Sequence, residues 1–429
     1  MHTYFFPRGN QPVDESRLRT RSQQAEHVRA RSQWGVAALG SAVTTAVLYG
    51  VVFQWGGFAR KCDFFVEAWP AYRALAHRHV VEFLRLGPAY FGSLILRAPF
   101  ALVASALGGG PKAVYFATAL PCLIAAVIFG SWLAVQPRRH IGHGISSRVS
   151  PLVLCIFNPI ILMCVIFGHP EDVLGAVLCI AAVLLSQRGA AGWAGLLIGL
   201  AVANKSWAVI VVPVVLAALP SGYRRALLVM STTAGLILVP AILVRQHGIA
   251  PAGAATTLGS QVGSTFLYPQ LLWWFGPTSW IARNAHVDLV LVCGACTLLW
   301  WMTRFAGRWS PARDVDSLLL LLAFVLLLRA ALDPWDNIYY HAPFLLALMA
   351  YESRRTPWLT SICSAALLIV IPPAIISHIS LDWRAGAYAI AVVPVIAGLA
   401  LRLYVPQAAW NSLSRRLDAR VLVARRATS

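Results

Sequence analysis

The sequence predicts an all-α polytopic membrane protein with about twelve transmembrane helices and further interfacial helices in its outer loops. Three observations predict it. Of the 429 residues, 59% are hydrophobic and 12% are charged, whereas a soluble globular chain carries about 25% charged residues. Mean hydropathy is +0.68 and Trp occurs 16 times. Apolar runs of about 17–22 residues recur along the chain, long enough to cross a hydrocarbon core about 30 Å thick. An ordinary soluble enzyme is excluded. The chain has 35 basic and 16 acidic residues, a net charge of +19. In a soluble chain that excess would point to nucleic acid; in a membrane chain basic residues set orientation, and no nucleic-acid partner is expected.

Spans are expected near 35–54, 113–135, 151–167, 173–186, 226–244, 287–303, 316–331, 341–351, 358–376 and 387–404. Two stretches need orientation to resolve them. Residues 88–107 carry Arg97 mid-run with Pro at both ends, and 191–219 are interrupted by Asn204, Lys205 and Ser206. Arg17, Arg19, Arg21, Arg29 and Arg31 precede the first span, and Arg415, Arg416, Arg420, Arg425 and Arg426 follow the last. Both termini are therefore expected in the cytoplasm, which requires an even number of crossings. The short basic loops at Arg138/Arg139/Arg148, Arg188, Arg224/Arg225, Arg304/Arg308/Arg313 and Arg354/Arg355 all become cytoplasmic under one arrangement. In it, 88–107 dips in and returns on the outer side, while 191–219 forms a helical hairpin with Lys205 near its outer tip. The organisation expected is a basic cytoplasmic arm (1–34), one catalytic membrane domain (35–405) and a basic cytoplasmic tail (406–429). The outer loops are 55–112, 168–172, 245–285 and 332–341.

The first thirty residues are polar and Arg-rich, without the short apolar core of a cleavable signal peptide. The eight Cys suggest no disulfide framework; seven lie inside apolar runs. Cys293 and Cys296 have redox-motif spacing, but in LVLVCGACTLLWW they read as small residues packing a helix face.

This topology gathers most of the acids outside the termini at one membrane surface. Asp63 follows the first span, and Glu67, four residues on, would share its helix face. A carboxylate there can act as general base on a hydroxyl; the alternative is a solvated acid paired with Arg60 or Lys61. His169, Glu171 and Asp172 crowd the short link Gly168–Asp172, more ionisable groups than a turn needs, although the acids could simply favour the next helix N-terminus. That spacing alone does not define a metal site, and none is expected. Lys205, between GLAVAN and SWAVIVVPVV, is costly in lipid unless it snorkels or meets a partner such as a phosphate. Finally, Arg329 and the run Asp333-Pro334-Trp335-Asp336-Asn337-Ile338-Tyr339-Tyr340-His341 combine carboxylates, amide, imidazole and aromatic rings, a set suited to a sugar. The 245–285 segment, rich in small residues and then aromatic, reads as an outer loop suited to a lipid tail.

The layout resembles the GT-C superfamily of multi-span glycosyltransferases that use polyprenyl-phosphate sugars. The resemblance rests on Asp63 in the first outer loop, the LRAPF segment, the GHPED link after FNPIILMCVIFG, and the GLLIGLAVANKSWAVIVVPVVL hairpin. It is most similar to actinobacterial alpha-mannosyltransferases of phosphatidylinositol mannoside and lipoarabinomannan synthesis, by layout over most of 35–405. The first loop lacks a DxD and no Tyr-Pro-Pro is present, departures that bear on donor sugar and acceptor. The resemblance implies an inverting transfer on the outer face of the cell membrane, with mannose the expected sugar and a lipid or glycolipid the acceptor. It implies Asp63 as general base and Lys205, with Arg97 or Arg329, at the donor phosphate. Glu67, His169, Glu171, Asp172, Asn204, Asp333, Asp336, Asn337, Tyr340 and His341 are the expected sugar- and acceptor-binding residues. No cofactor is required beyond the polyprenyl-phosphate sugar donor. The competing function is a transporter or flippase of a lipid-linked sugar precursor. Transporters place ionisable groups near the bilayer midplane and often repeat their halves; here the acids cluster at span ends and no repeat is evident.

Overall fold

The computed structural model describes residues 62–88, 90–135, 154–155, 158–246, 271, 280–306, 314–333, 338–355 and 381–405. The expected spans at 35–54 and 358–376 lie outside them, as do most of the 245–285 loop, Asp336 and Asn337. Every regular element among the described residues is helical. After a wide π-helical turn at Phe64–Ala68 come α1 (Trp69–Ala76), α2 (Val80–Leu86), α3 (Phe91–Ala106), α4 (Pro111–Val135), α5 (Pro159–Phe167), α6 (Glu171–Gln187) and α7 (Ala191–Asn204). A 3₁₀ turn at Ser206–Val211 leads into α8 (Val212–Ala218), then α9 (Tyr223–Gln246), α10 (Trp280–Ala306) and α11 (Val315–Leu332). A second 3₁₀ turn at Ile338–His341 precedes α12 (Ala342–Arg355) and α13 (Leu381–Tyr404).

Among the described residues, four helices are long and apolar enough to cross a membrane: Pro111–Ala134, Tyr223–Val244, Val315–Leu332 and Ala385–Tyr404. Their burial differs in a way the sequence explains. α11 is Leu-rich all round, and Leu318–Leu328 are all buried, as expected of a helix surrounded by others. α9 and α13 turn apolar side chains outward instead; Leu236 is 75% exposed and Ile390 78%. Such surface is tolerable against lipid and costly against water. The bundle therefore has a central helix and an apolar perimeter.

Close packing in the bundle uses small residues. A Cβ at Gly199 would stand 2.8 Å from the Met230 carbonyl oxygen, and one at Gly195 would collide with Ala226 O. Gly195 and Gly199 form a G-x-x-x-G stripe along which α7 and α9 lie side by side, the device that membrane helices use where apolar burial alone gives no association.

The expected hairpin over 191–219 forms. α7 ends where Lys205 adopts an extended conformation (φ −149°, ψ 128°), and the return leg brings Leu219 back to Ala191 and Ala226. The expected dip over 88–107 does not form. Phe91–Ala106 make one helix, α3, with Pro99 inside it. Gly92 packs against the Ala203 carbonyl, and Gly109, just past the far end of α3, touches Ala104 and Ala113. The first turns of α4 then pack on Phe64, and Tyr115 donates to Val165 O. Both ends of α3 thus lie toward the end of the bundle that carries residues 168–172. A continuous helix satisfies its own backbone groups, which a tight reversal in apolar surroundings would not.

Gly199→Val should lower stability by about 1–3 kcal/mol through overpacking, whereas Gly235→Val, whose new Cβ would meet nothing within 4 Å, should cost little. Thermal unfolding of the two variants in detergent checks the contrast.

Candidate functional site

Residues far apart in sequence meet at one end of the bundle because two chain reversals, at Gly168 and at Lys205, place them there. Asn158 caps α5 by accepting from Ile160 N–H at 2.9 Å, and α5 ends at Gly168 with φ 92°. Only glycine fits: its φ lies in the left-handed region, and a Cβ would stand 2.7 Å from the Phe64 backbone nitrogen. The Asp63 N–H donates to Phe167 O at 3.0 Å, which fixes Asp63 on the end of α5. α6 starts three residues after Gly168. The end of α7 returns to the same level, where Asn204 Nδ2 donates to Glu171 O at 2.8 Å.

Glu171 is the centre of the site. Its carboxylate is fully buried and meets Arg97 Nη2 at 3.1 Å, Lys205 Nζ at 3.2 Å and His169 Nδ1 at 2.9 Å. The other imidazole nitrogen of His169, Nε2, lies 3.1 Å from Asp63 Oδ2, and the Asp63 side chain is 46% exposed. Lys205 Nζ also lies 3.5 Å from Asp172 Oδ2 and 4.2 Å over the Tyr90 ring. Asp172 Oδ1 accepts from Trp207 Nε1 at 2.7 Å. The two acids therefore spend their charge on tertiary partners and make no side-chain cap for α6.

Aromatic rings enclose the imidazole. Tyr339 stacks on His169 with centroids 4.9 Å apart, and Tyr90 meets it edge-on at 5.4 Å. The Tyr90 hydroxyl donates to Glu67 Oε2 at 2.5 Å. Arg329 donates to Tyr340 O at 3.0 Å and lies 4.1 Å over the Tyr340 ring and 5.2 Å over Trp207. His341 bonds the Tyr388 hydroxyl at 2.8 Å, and Asp333 is buried beyond the end of α11.

The ionisation states follow from the pairing. Both His169 and Glu171 sit in the link and first turn outside the apolar body of the helices. Burial and Lys205 push the His169 pKa down, but the hydrogen bonds to Asp63 and Glu171 outweigh them and raise it to about 9. Burial pushes the Glu171 carboxyl up, yet Lys205, Arg97 and His169 prevail and hold it well below the usual carboxylate range. The cluster thus reads as a carboxylate, an imidazolium and a second carboxylate in line, with two further cations behind.

Ligand atoms of His169, Glu171 and Asp172 lie within 4.8 Å of one another, a spacing that could hold a metal ion. Lys205 already bridges both carboxylates and Arg97 takes a share of one. A divalent ion would have to displace or oppose those charges, so the set suits the ammonium better than a metal.

Most residues singled out in the sequence converge: Asp63, Glu67, Arg97, His169, Glu171, Asp172, Asn204, Lys205, Arg329 and Tyr340. Arg97, expected near a donor phosphate, is 1% exposed and pairs with Glu171 at 3.1 Å, beneath the site. His341 faces Tyr388 on α13. Sequence reasoning missed Tyr90 and Trp207, and it placed Tyr339 only within the Asp333–His341 run without its contact to His169. The only signal for Tyr90 and Trp207 is position, each within a few residues of a charged or helix-breaking residue. No family model, curated protein or solved structure matches the chain.

The protonated form of His169 is favoured in the folded state relative to its ordinary pKa of about 6.5. Its stabilisation is therefore complete below pH about 6.5 and is lost as pH rises through about 9. The thermal midpoint in detergent should fall across that window, and His169→Gln should flatten this part of the profile. A wild-type profile without that fall would contradict the pairing. Glu171→Gln, which strips a buried partner from Arg97 and Lys205, should cost about 3–5 kcal/mol, readable as a lowered unfolding midpoint.

Proposed function

We propose that the chain is a membrane glycosyltransferase that moves a sugar, mannose in the first instance, from a polyprenyl-phosphate donor to a lipid or glycolipid acceptor. The observation that carries this reading is the half-exposed Asp63 carboxylate, fixed at one oxygen by the buried His169 ring, around which Tyr90, Tyr339 and Lys205 pack. A general base needs a fixed, accessible carboxylate next to the proton it takes. Asp63 takes the proton from the acceptor hydroxyl as that oxygen bonds to the anomeric carbon. The bond from that carbon to the phosphate oxygen breaks on the opposite face, and the configuration inverts. Lys205, which pairs with Glu171 and Asp172, supplies positive charge to the departing phosphate. Arg329, which has no carboxylate partner among the described residues, adds charge beside it.

In this reading the chain crosses the cell membrane twelve times with both termini in the cytoplasm. Support comes from the sorting of charge. Arg188 caps the far end of α6, Arg225 touches Gly192 at the start of α7, and Arg354 pairs with Asp316 at the start of α11. All stand at the end opposite Glu171, the arrangement expected if that end is cytoplasmic and the site is outside. The position of the ionisable cluster at helix ends, away from mid-helix, favours a transferase over a flippase.

The test is transfer of labelled mannose from polyprenyl-phosphate-mannose to membrane lipids. Asp63→Asn should lower the rate by about 10²–10⁴-fold with normal expression, and should lower the unfolding midpoint only by the loss of its one ion pair to His169. Retained activity would move the base to Glu171, Asp172 or Asp333. No product from well-folded wild type across several donor sugars would favour the flippase.

A further inference from the structure

Beside the Asp63 site, and outside the residues assigned above, α1 and α2 form an elbow with two different faces. The inner face of α1 is buried: Tyr72 is 1% exposed and its hydroxyl donates to Leu94 O at 3.2 Å. Tyr72 in turn packs on Phe83 of α2, and Phe83 shares a core with Ala241 near the end of α9. The elbow is therefore fastened to the same end of the bundle as Glu171. Its outer face holds a cavity of about 410 Å³ lined by Arg73, His77, His79 and Glu82, with Pro70 and Leu86 at its edges.

Arg73, His77 and His79 outnumber the one acid, Glu82, in this lining. All three are exposed, and the two imidazole rings lie 6.3 Å apart. None of the three has a carboxylate partner among the described residues. The acid present, Glu82, is taken by Arg85 at 3.2 Å. Arg78 at the corner has φ 63°, a left-handed conformation that a non-glycine residue adopts at a cost. That corner sets His77 and His79 on the same side of the turn. Directly after it, Val80 and Val81 are 54% and 57% exposed. An arginine and two imidazoles next to exposed apolar side chains on short helices fit a segment lying on a lipid surface.

We propose that this elbow binds the phosphate of an anionic membrane phospholipid, held by Arg73, His77 and His79, with the acyl chains beginning along Val80 and Val81. The site is separate from the Glu171 cluster and stands whatever the chain transfers. It would hold the α1–α2 elbow at the membrane surface and so fix the approach to Asp63.

The test uses the full chain in neutral detergent and native mass spectrometry with three probes: dioctanoyl phosphatidylglycerol, dioctanoyl phosphatidylcholine and inorganic phosphate. Wild type should bind the anionic lipid at least tenfold more tightly than the zwitterionic one, and inorganic phosphate weakly. Arg73→Gln alone should lose about fivefold, and the triple variant Arg73→Gln/His77→Asn/His79→Asn should lose most of the preference at an unchanged unfolding midpoint. Arg224→Gln/Arg225→Gln, at the opposite end of the bundle, should retain it. An undiminished preference in the triple variant, its loss in the Arg224/Arg225 variant, or phosphate binding as tight as the lipid would overturn the proposal.

Discussion

A carboxylate with no exposure to water must be surrounded by cations or be neutral, and the site end of this protein is built around that requirement at Glu171. Three separate chain segments supply its partners: Arg97 from α3, His169 from the link before α6 and Lys205 from the tip of the α7–α8 hairpin. Each partner constrains its own element. Arg97 draws α3 over the end of the bundle, Lys205 fixes the hairpin tip, and His169 passes the constraint on to Asp63. The arrangement of the site around Asp63 is thus a consequence of how one buried charge is compensated.

Packing beneath this cluster supplies the rigidity it needs. The Leu-rich α11 fills the centre, and the Gly195/Gly199 stripe brings α7 and α9 to backbone contact. Lys205 sits at the end of α7, so its position relative to Glu171 depends on that contact. Tyr339 and Tyr90 then cover the imidazole with apolar ring surface, which lowers the local dielectric and strengthens each charge pair. The same enclosure leaves Asp63 half open, so the most accessible member of the line is the one that the proposed chemistry uses.

Much of this was legible in the sequence, for identifiable reasons. Strong hydropathy marked the long helices, and the Asn204-Lys205 break in an apolar run marked the hairpin tip, because a lysine there must reach water or an acid. The density of ionisable groups at His169, Glu171 and Asp172 marked the centre. What the sequence left open was pairing. Arg97 within an apolar helix signals a partner without naming it, and the partner, Glu171, lies in another segment altogether. The dip over 88–107 was inferred from charge sorting, which fixes the side on which a segment ends and not the path between. Tyr90 and Trp207 look like interfacial aromatics in sequence; only three-dimensional contact with Glu67 and Asp172 distinguishes them. The α1–α2 elbow escaped for a similar reason, since its two faces separate only once the helices are packed.

The most direct test of the central constraint is a double-mutant cycle between Arg97 and Glu171, read by equilibrium unfolding in mixed micelles. Arg97→Met and Glu171→Gln should each destabilise strongly, because each leaves the other group buried without its partner. The double variant should recover much of that loss, with a coupling energy of about 2 kcal/mol or more. Additive effects of the two substitutions would contradict the account, since they would mean that Glu171 does not organise the end of the bundle through Arg97.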